Sequence, residues 1–218
     1  MLDRVSKYME LMNTRPNLFL QNERIRLVLD ESKIREFEAE SGKPMGIVYD
    51  NSPFYMVIAD LCEGKNGLYS YARVVSCNPK SSGTVAIPYC NGYFGLLTIF
   101  RHAPRKEMLE FPRGFSENLN LTVEQNIRKE LSEEIGVDPE SCKISSLGHV
   151  FADSGLASGC ADLFVAEFET IPETVLCQEE GISKFKWYSE KQIKTMIANN
   201  EITDGFTLSA YAKYICLR

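Results

Sequence analysis

The stretch Gly114–Val137, GFSENLNLTVEQNIRKELSEEIGV, constrains the fold more than any other part of the chain. Thr122 followed three residues later by Gln125 is a capping-box signature, which starts a helix at a defined residue. Val123, Ile127, Leu131 and Ile135 then recur at four-residue spacing, an apolar stripe that must bury against another layer, here a sheet. Gly136 ends the helix at a position that favours left-handed backbone. Beside the stripe lie Glu130, Glu133 and Glu134, which share a face because residues three and four apart on a helix are neighbours. Like charges so placed repel unless something neutralises them. A hard divalent cation such as Mg²⁺ does so, since it takes oxygen ligands and often bridges carboxylates to substrate phosphates. A solvated acidic face is the alternative. In front of the helix, residues 110–114 (EFPRG) read as an apolar strand end running into a Pro/Gly loop. Loop and helix together suit a metal–diphosphate cradle.

The flanking sequence reads as alternating strands and helices. Residues 1 to about 82 form a separate N-terminal α+β part. It opens with a helix over Leu2–Met12 that places Val5, Met9 and Met12 on one face. A strand follows over Arg24–Leu29, with Ile25, Leu27 and Leu29 inside, and then a helix capped by Asp30 or Ser32 and ended at Ser41–Gly42. Strands over 46–49, 54–59 and 68–75 complete it, and the run 78–83 (NPKSSG) is the best boundary. Beyond that run, strands over 84–90 and 93–100 flank Asn91-Gly92, the strongest short hairpin signal. Strands over 107–111, 144–151, 162–168 and up to Trp187 follow, then a helix capped by Ser189 and a final helix.

Composition excludes several classes. A formal net charge of −6 argues against a coat of nucleic-acid phosphate contacts, though not against a small anionic ligand held by arginines and a cation. Seven cysteines with no C-x-x-C pair fit a reducing compartment better than a disulfide framework. With only His102 and His149 present, a His-rich zinc site is not expected. No run approaches the ~20 apolar residues that span a bilayer, and the N-terminus has no apolar leader core, so a cytoplasmic protein is the expectation.

The loop–helix stretch resembles the Nudix box, G-x5-E-x7-R-E-U-x-E-E-x-G-U, where U is a bulky apolar residue. Glu130, Leu131, Glu133, Glu134, Gly136 and Val137 fit its back half residue for residue. In the front half one extra residue separates Gly114 from Glu130. The motif's first Glu therefore falls on Asn120 or Leu121, its Arg on Arg128 or Lys129, and Glu117 is the acid in that loop. Residues 84–218 as a whole resemble the ADP-ribose pyrophosphatase branch of the family.

The resemblance implies an α/β/α sandwich around a mixed sheet, with residues 83–218 as the Nudix domain. Residues 1–82 would serve for dimerisation or as a lid in a homodimer. It implies hydrolysis of a nucleoside diphosphate linked to another moiety, ADP-ribose or a nucleotide sugar, with Mg²⁺ or Mn²⁺ as cofactor. A non-catalytic ligand-binding or sensor module is the alternative. Glu130, Glu133 and Glu134 would hold the metal and Lys129 would orient them. Arg101, Glu110, Arg113 and Gly114 would meet the substrate, with Arg105 a weaker candidate. Glu179 or Glu180 would act on the attacking water. Where the branch often carries an acid and an Arg after the box, this chain has Gly159 and Cys160, with Asp153 and Asp162 as weaker substitutes.

Overall fold

The computed structural model describes residues 2–77, 83–115, 121–176 and 181–218. Its chain divides into two units, Met1–Pro79 with Asp153–Gly159, and Lys80–Ala152 with Cys160–Arg218.

In the first unit, Asp3 accepts from the N–H groups of Val5 and Ser6, both at 3.0 Å, and starts α1 (Arg4–Thr14). The strand β1 (Arg26–Leu27) follows, and Asp30 caps α2 (Glu31–Ser41), which Gly42 ends at φ +69°. Then come β2 (Gly46–Asn51), β3 (Tyr55–Gly64) and β4 (Gly67–Ser76). β3 is central, paired antiparallel with β4 along its length and with β2 and β1 on its other edge. The stretch after Asp153 joins this unit through Val74, whose N–H donates to the Leu156 carbonyl at 2.8 Å.

Two expectations are corrected here. The fully buried residues of α1 are Val5, Tyr8 and Leu11, while Met9 and Met12 pack half-buried at the margin of the same core. The Tyr8 hydroxyl donates to the buried Asp60 carboxylate at 2.8 Å and its ring stands edge-on to Phe19, which turns the helix to a three-residue spacing. The expected strand over Arg24–Leu29 is reduced to two residues, and Ile25 is exposed. The Gln21 side chain occupies both backbone groups of Leu27, each at 3.0 Å, in place of a neighbouring strand.

The second unit opens with β5 (Gly83–Cys90) and β6 (Tyr93–Arg101), joined through Asn91 (φ +48°) and Gly92 (φ +88°). Both positive φ values are what a two-residue turn matched to strand twist requires. Next come β7 (Lys106–Glu110), β8 (Arg113–Phe115), α3 (Val123–Ile135), β9 (Cys142–Val150), β10 (Ala161–Phe168), β11 (Ile182–Ser189), α4 (Glu190–Ala198) and α5 (Gly205–Cys216). Among the described residues the sheet runs β11-β6-β5-β10-β9, with β7 on β6 and β8 on β5. β10 lies parallel to β5 and the other pairings are antiparallel, so the sheet is mixed.

The hairpin does not stay closed. β5 and β6 face each other at Tyr89↔Phe94 and Cys90↔Tyr93, then part. β7 follows β6 from Arg101↔Lys106 to Leu97↔Glu110, and β8 follows β5 from Val85↔Arg113 to Gly83↔Phe115. Residues 110–114 thus fill the wedge. Side chains alternating along β5 serve two cores. Val85 and Ile87 pack with Phe94, Leu163, Ile193 and Tyr211 under α4 and α5, while Ala86 and Cys90 pack with Ile127, Leu131 and Ile135 of α3. Helices on both faces make the α/β/α sandwich.

Candidate active site

The helix α3 begins and ends on local chemistry. Thr122 Oγ1 accepts from the Gln125 N–H at 3.1 Å, and the Gln125 side chain accepts from the Thr122 N–H at 2.8 Å. At the other end Gly136 has φ +66° and its N–H donates to the Ser132 carbonyl at 3.0 Å. The apolar stripe is Ile127, Leu131 and Ile135, all fully buried, whereas Val123 in the first turn is exposed. Arg128 donates to Glu124 one turn back (3.2 and 3.0 Å) and to the carbonyls of Pro139 and Cys142, which ties the turn after the helix to its flank.

Beside that stripe runs a second one, Asn126, Glu130 and Glu134, at four-residue spacing. All three side chains are buried, with Glu130 at 7% and Glu134 at 1% exposure. Glu133 is not with them. At about 100° per residue it sits roughly 60° to one side of Glu130, whereas Glu134 sits about 40° to the other. Its carboxylate is exposed and accepts from Lys129 Nζ at 2.6 Å. The expected face of three carboxylates therefore consists of a buried pair and an exposed third.

The buried pair lies against β8. Glu134 Oε2 accepts from the Arg113 N–H at 3.0 Å. The carboxylate of Glu130 rests on Gly114 so closely that a Cβ there would lie 2.0 Å from Oε2. Only glycine leaves that seat open.

The arginines of the wedge are engaged by Glu110, which is 0% exposed. Arg101 donates to it twice through Nε (3.1 and 3.0 Å) and through Nη2 (2.7 Å), and Arg113 donates through Nε at 2.8 Å. Arg113 also stands 3.5 Å from Asp204 and stacks over the Phe206 ring at 5.0 Å. Asp204 caps α5 through the Thr207 N–H, and Thr207 Oγ1 accepts from the Phe111 N–H at 3.0 Å, so α5 grips the wedge from the far side. Burial pushes the Glu110 pKa up, but the bonds from Arg101 and Arg113 outweigh it and hold the carboxyl below its ordinary value.

The sequence model of the NUDIX domain matches residues 81–206, more than half of the chain and the whole of this loop–helix unit. The chain belongs to the Nudix hydrolase family. Its fold is also that of a solved ADP compounds hydrolase, at TM-score 0.61 and 16% identity, covering 79% of this chain and 94% of that one. No functionally curated protein matches it.

Family members generally use divalent metals, which gives the Nudix helix of this chain a chemical reading. Among the described residues no three His, Cys, Asp or Glu side chains converge as a ready-made cage. Mg²⁺ does not need one, since it is usually bound through one or two carboxylates together with substrate phosphates and water. Two buried carboxylates four residues apart, beside the Arg113–Gly114 backbone, fit that donor set. Glu117, Asn120, Glu179 and Glu180 lie outside the described residues.

The structure also locates the remaining residues singled out from sequence. Arg105 is exposed at the β6–β7 turn, bonded to His102 and stacked on Phe100, so it is not among the wedge arginines. Asp153 is occupied in its own turn, accepting from the Gly155 N–H at 3.0 Å. Gly159 groups with the first unit and Cys160 with the second, while Asp162 lies in β10. The residues that sequence reasoning passed over are Asn126, Thr84, Asp204 and Thr207. Asn126 was the detectable one, since it extends the Glu130–Glu134 spacing by one turn toward the N-terminus.

The Gly114 seat carries a prediction. Gly114→Ala forces the Glu130 carboxylate aside, and displacement of a reacting group by about 1 Å costs on the order of 100-fold in rate. Steady-state turnover of the variant against wild type measures it. Unchanged turnover would mean that the seat has no part in the chemistry.

Proposed function

We propose that the protein is a divalent-metal-dependent pyrophosphohydrolase of a nucleoside diphosphate linked to another moiety, with ADP-ribose and nucleotide sugars as the substrate class. The observation that carries this reading is the buried Glu130–Glu134 pair seated against Arg113–Gly114 within the Nudix match. The structural neighbour, an ADP compounds hydrolase, supports the same class.

Glu130 and Glu134 would hold Mg²⁺ or Mn²⁺, with a backbone carbonyl at Arg113–Gly114 as a further donor. The bound ion would neutralise diphosphate charge and lower the pKa of water. Glu133 joins the ligand set only by giving up Lys129, and is expected to contribute least; Lys129 steadies the helix face through that bond. Arg101 and Arg113 keep their place through Glu110, and guanidinium groups held in a fixed orientation suit the oxygens of a diphosphate. Glu179 or Glu180, shortly before β11, would orient or deprotonate the attacking water. The protein would act as a homodimer, with residues 1–82 serving for dimerisation or as a lid.

The test is product analysis on a panel of ADP-ribose, nucleotide sugars, dinucleotides and nucleoside triphosphates with Mg²⁺, Mn²⁺ or EDTA. The expected result is AMP released from ADP-ribose, or the nucleoside monophosphate from a nucleotide sugar, only when metal is present. No cleavage across the panel, with one member still raising the melting temperature, would replace the hydrolase by a binding module.

A further inference from the structure

The third member of the buried stripe on α3 has no part in the functional reading above. Asn126 is 1% exposed, as is Thr84 on β5. Asn126 Nδ2 donates to Thr84 Oγ1 at 3.0 Å, so the one hydroxyl proton of Thr84 is left for another acceptor. Among the described residues it reaches the carbonyl of Gly114, at 3.5 Å, the outer limit of a hydrogen bond. Thr84 and Gly114 are also ladder partners between β5 and β8. The same glycine carries the Glu130 carboxylate against its Cα, and Glu130 is one helical turn along from Asn126.

A buried amide left without its partner loses its hydration with nothing in return, so Asn126 can sit at only one height along β5. That height decides where Glu130, four residues on, meets Gly114. The apolar contacts of Ile127, Leu131 and Ile135 press α3 onto the sheet but are non-directional and do not select a height.

We propose that Asn126 and Thr84 are a positioning pair that seats the Glu130 carboxylate on Gly114 and orients the Gly114 carbonyl, and thereby sets divalent-cation affinity and kcat. This rests on the reading of Glu130 as a metal-holding carboxylate. Neither residue touches substrate; they act through Gly114 and Glu130.

The experiment separates the hydroxyl from the shape of the side chain. Thr84→Val keeps shape and removes the hydroxyl, whereas Thr84→Ser keeps the hydroxyl and removes a buried methyl. Mn²⁺ binding to the full chain without substrate, followed by the EPR signal of free Mn²⁺, is read beside kcat, KM and the melting temperature. Thr84→Val is expected to weaken Mn²⁺ binding and lower kcat by about 10- to 100-fold, the usual range for a partner one bond removed from a metal ligand. KM changes little, while the melting temperature falls because the buried Asn126 amide is left unpaired. In the Thr84→Val/Asn126→Leu double variant no buried amide remains, so the melting temperature recovers while the Mn²⁺ defect persists. Thr84→Ser recovers most of both functions although it melts lower, and Asn126→Leu follows Thr84→Val. A purely structural role makes the losses follow the melting temperatures, so that the double variant regains Mn²⁺ binding and kcat with its stability, and overturns the proposal. A wild type that binds Mn²⁺ and turns over substrate, with Thr84→Val equal to it, overturns the positioning pair alone. A wild type that does neither overturns the metal reading and this inference with it.

Discussion

Glu134→Gln is expected to cut metal-dependent turnover by about 100- to 1,000-fold, the scale at which removing one well-placed charge-stabilising group acts. The fold should be left intact. Glu134 is 1% exposed, and the hydrogen bond it accepts from the Arg113 N–H at 3.0 Å needs only a carbonyl-type oxygen. Glutamine supplies that oxygen, so the backbone of the wedge keeps its partner while the negative charge disappears. The companion variant is Glu133→Gln, at an exposed carboxylate paired with Lys129. Its effect should stay well under that of Glu134→Gln, because a carboxylate in water gains little from being charged beside one lysine. Steady-state kinetics of both variants, with melting curves alongside, decide the matter. Equal losses in the two would mean that the exposed carboxylate binds metal as strongly as the buried one, and an unaltered Glu134→Gln enzyme would remove the metal site from this helix.

The second large effect is on stability. Glu110→Ala takes away the carboxylate that receives three bonds from Arg101 and one from Arg113. Two guanidinium groups, at 29% and 24% side-chain exposure, then remain at the wedge without it. Breaking a buried pair from one side costs about 3–5 kcal/mol, and the partial exposure of the arginines argues for the lower figure. For a chain of this size a loss of about 3 kcal/mol corresponds to a melting temperature lower by roughly 6–12 °C. The pH dependence has a definite sign. Burial raises the Glu110 pKa, the two arginines lower it more, and the folded value lies below the unfolded one. Its contribution to stability is therefore complete above the ordinary carboxylate pKa and is lost as pH falls through the depressed folded value. The gap in melting temperature between wild type and Glu110→Ala should narrow on acidification across that window. A gap that is constant with pH would show that packing, not charge, sets the loss.

That network also changes what Arg101 and Arg113 can be. Sequence reading treats each as an arginine that meets the substrate. In the folded chain both are tied first to a buried glutamate, and Arg113 is further placed by Asp204 and the Phe206 ring. Orientation of this kind restricts the side chain before any ligand arrives, which lowers the entropic cost of ordering it on binding.

Sequence by itself determined what local chemistry determines. Thr122, Gln125 and Gly136 delimit α3 because their hydrogen bonds close within a few residues. Asn91-Gly92 makes the hairpin because both residues tolerate positive φ. The Glu130–Val137 half of the Nudix box was legible because its spacing is that of a helix, and a helix needs no distant partner to define its faces.

Tertiary structure decided what depends on neighbours far along the chain. It opened the hairpin after two rungs, because the segment from Lys106 to Phe115 takes the edges along which β5 and β6 would otherwise have paired. It buried Glu130 and Glu134 and left Glu133 in water, because the contact with β8 covers only one side of the helix. It brought Thr84 of β5, Gly114 of β8, and Asn126 and Glu130 of α3 into one seat. Burial and hydrogen-bond partners are properties of packed surfaces, and spacing along a chain encodes them only where the packing is local.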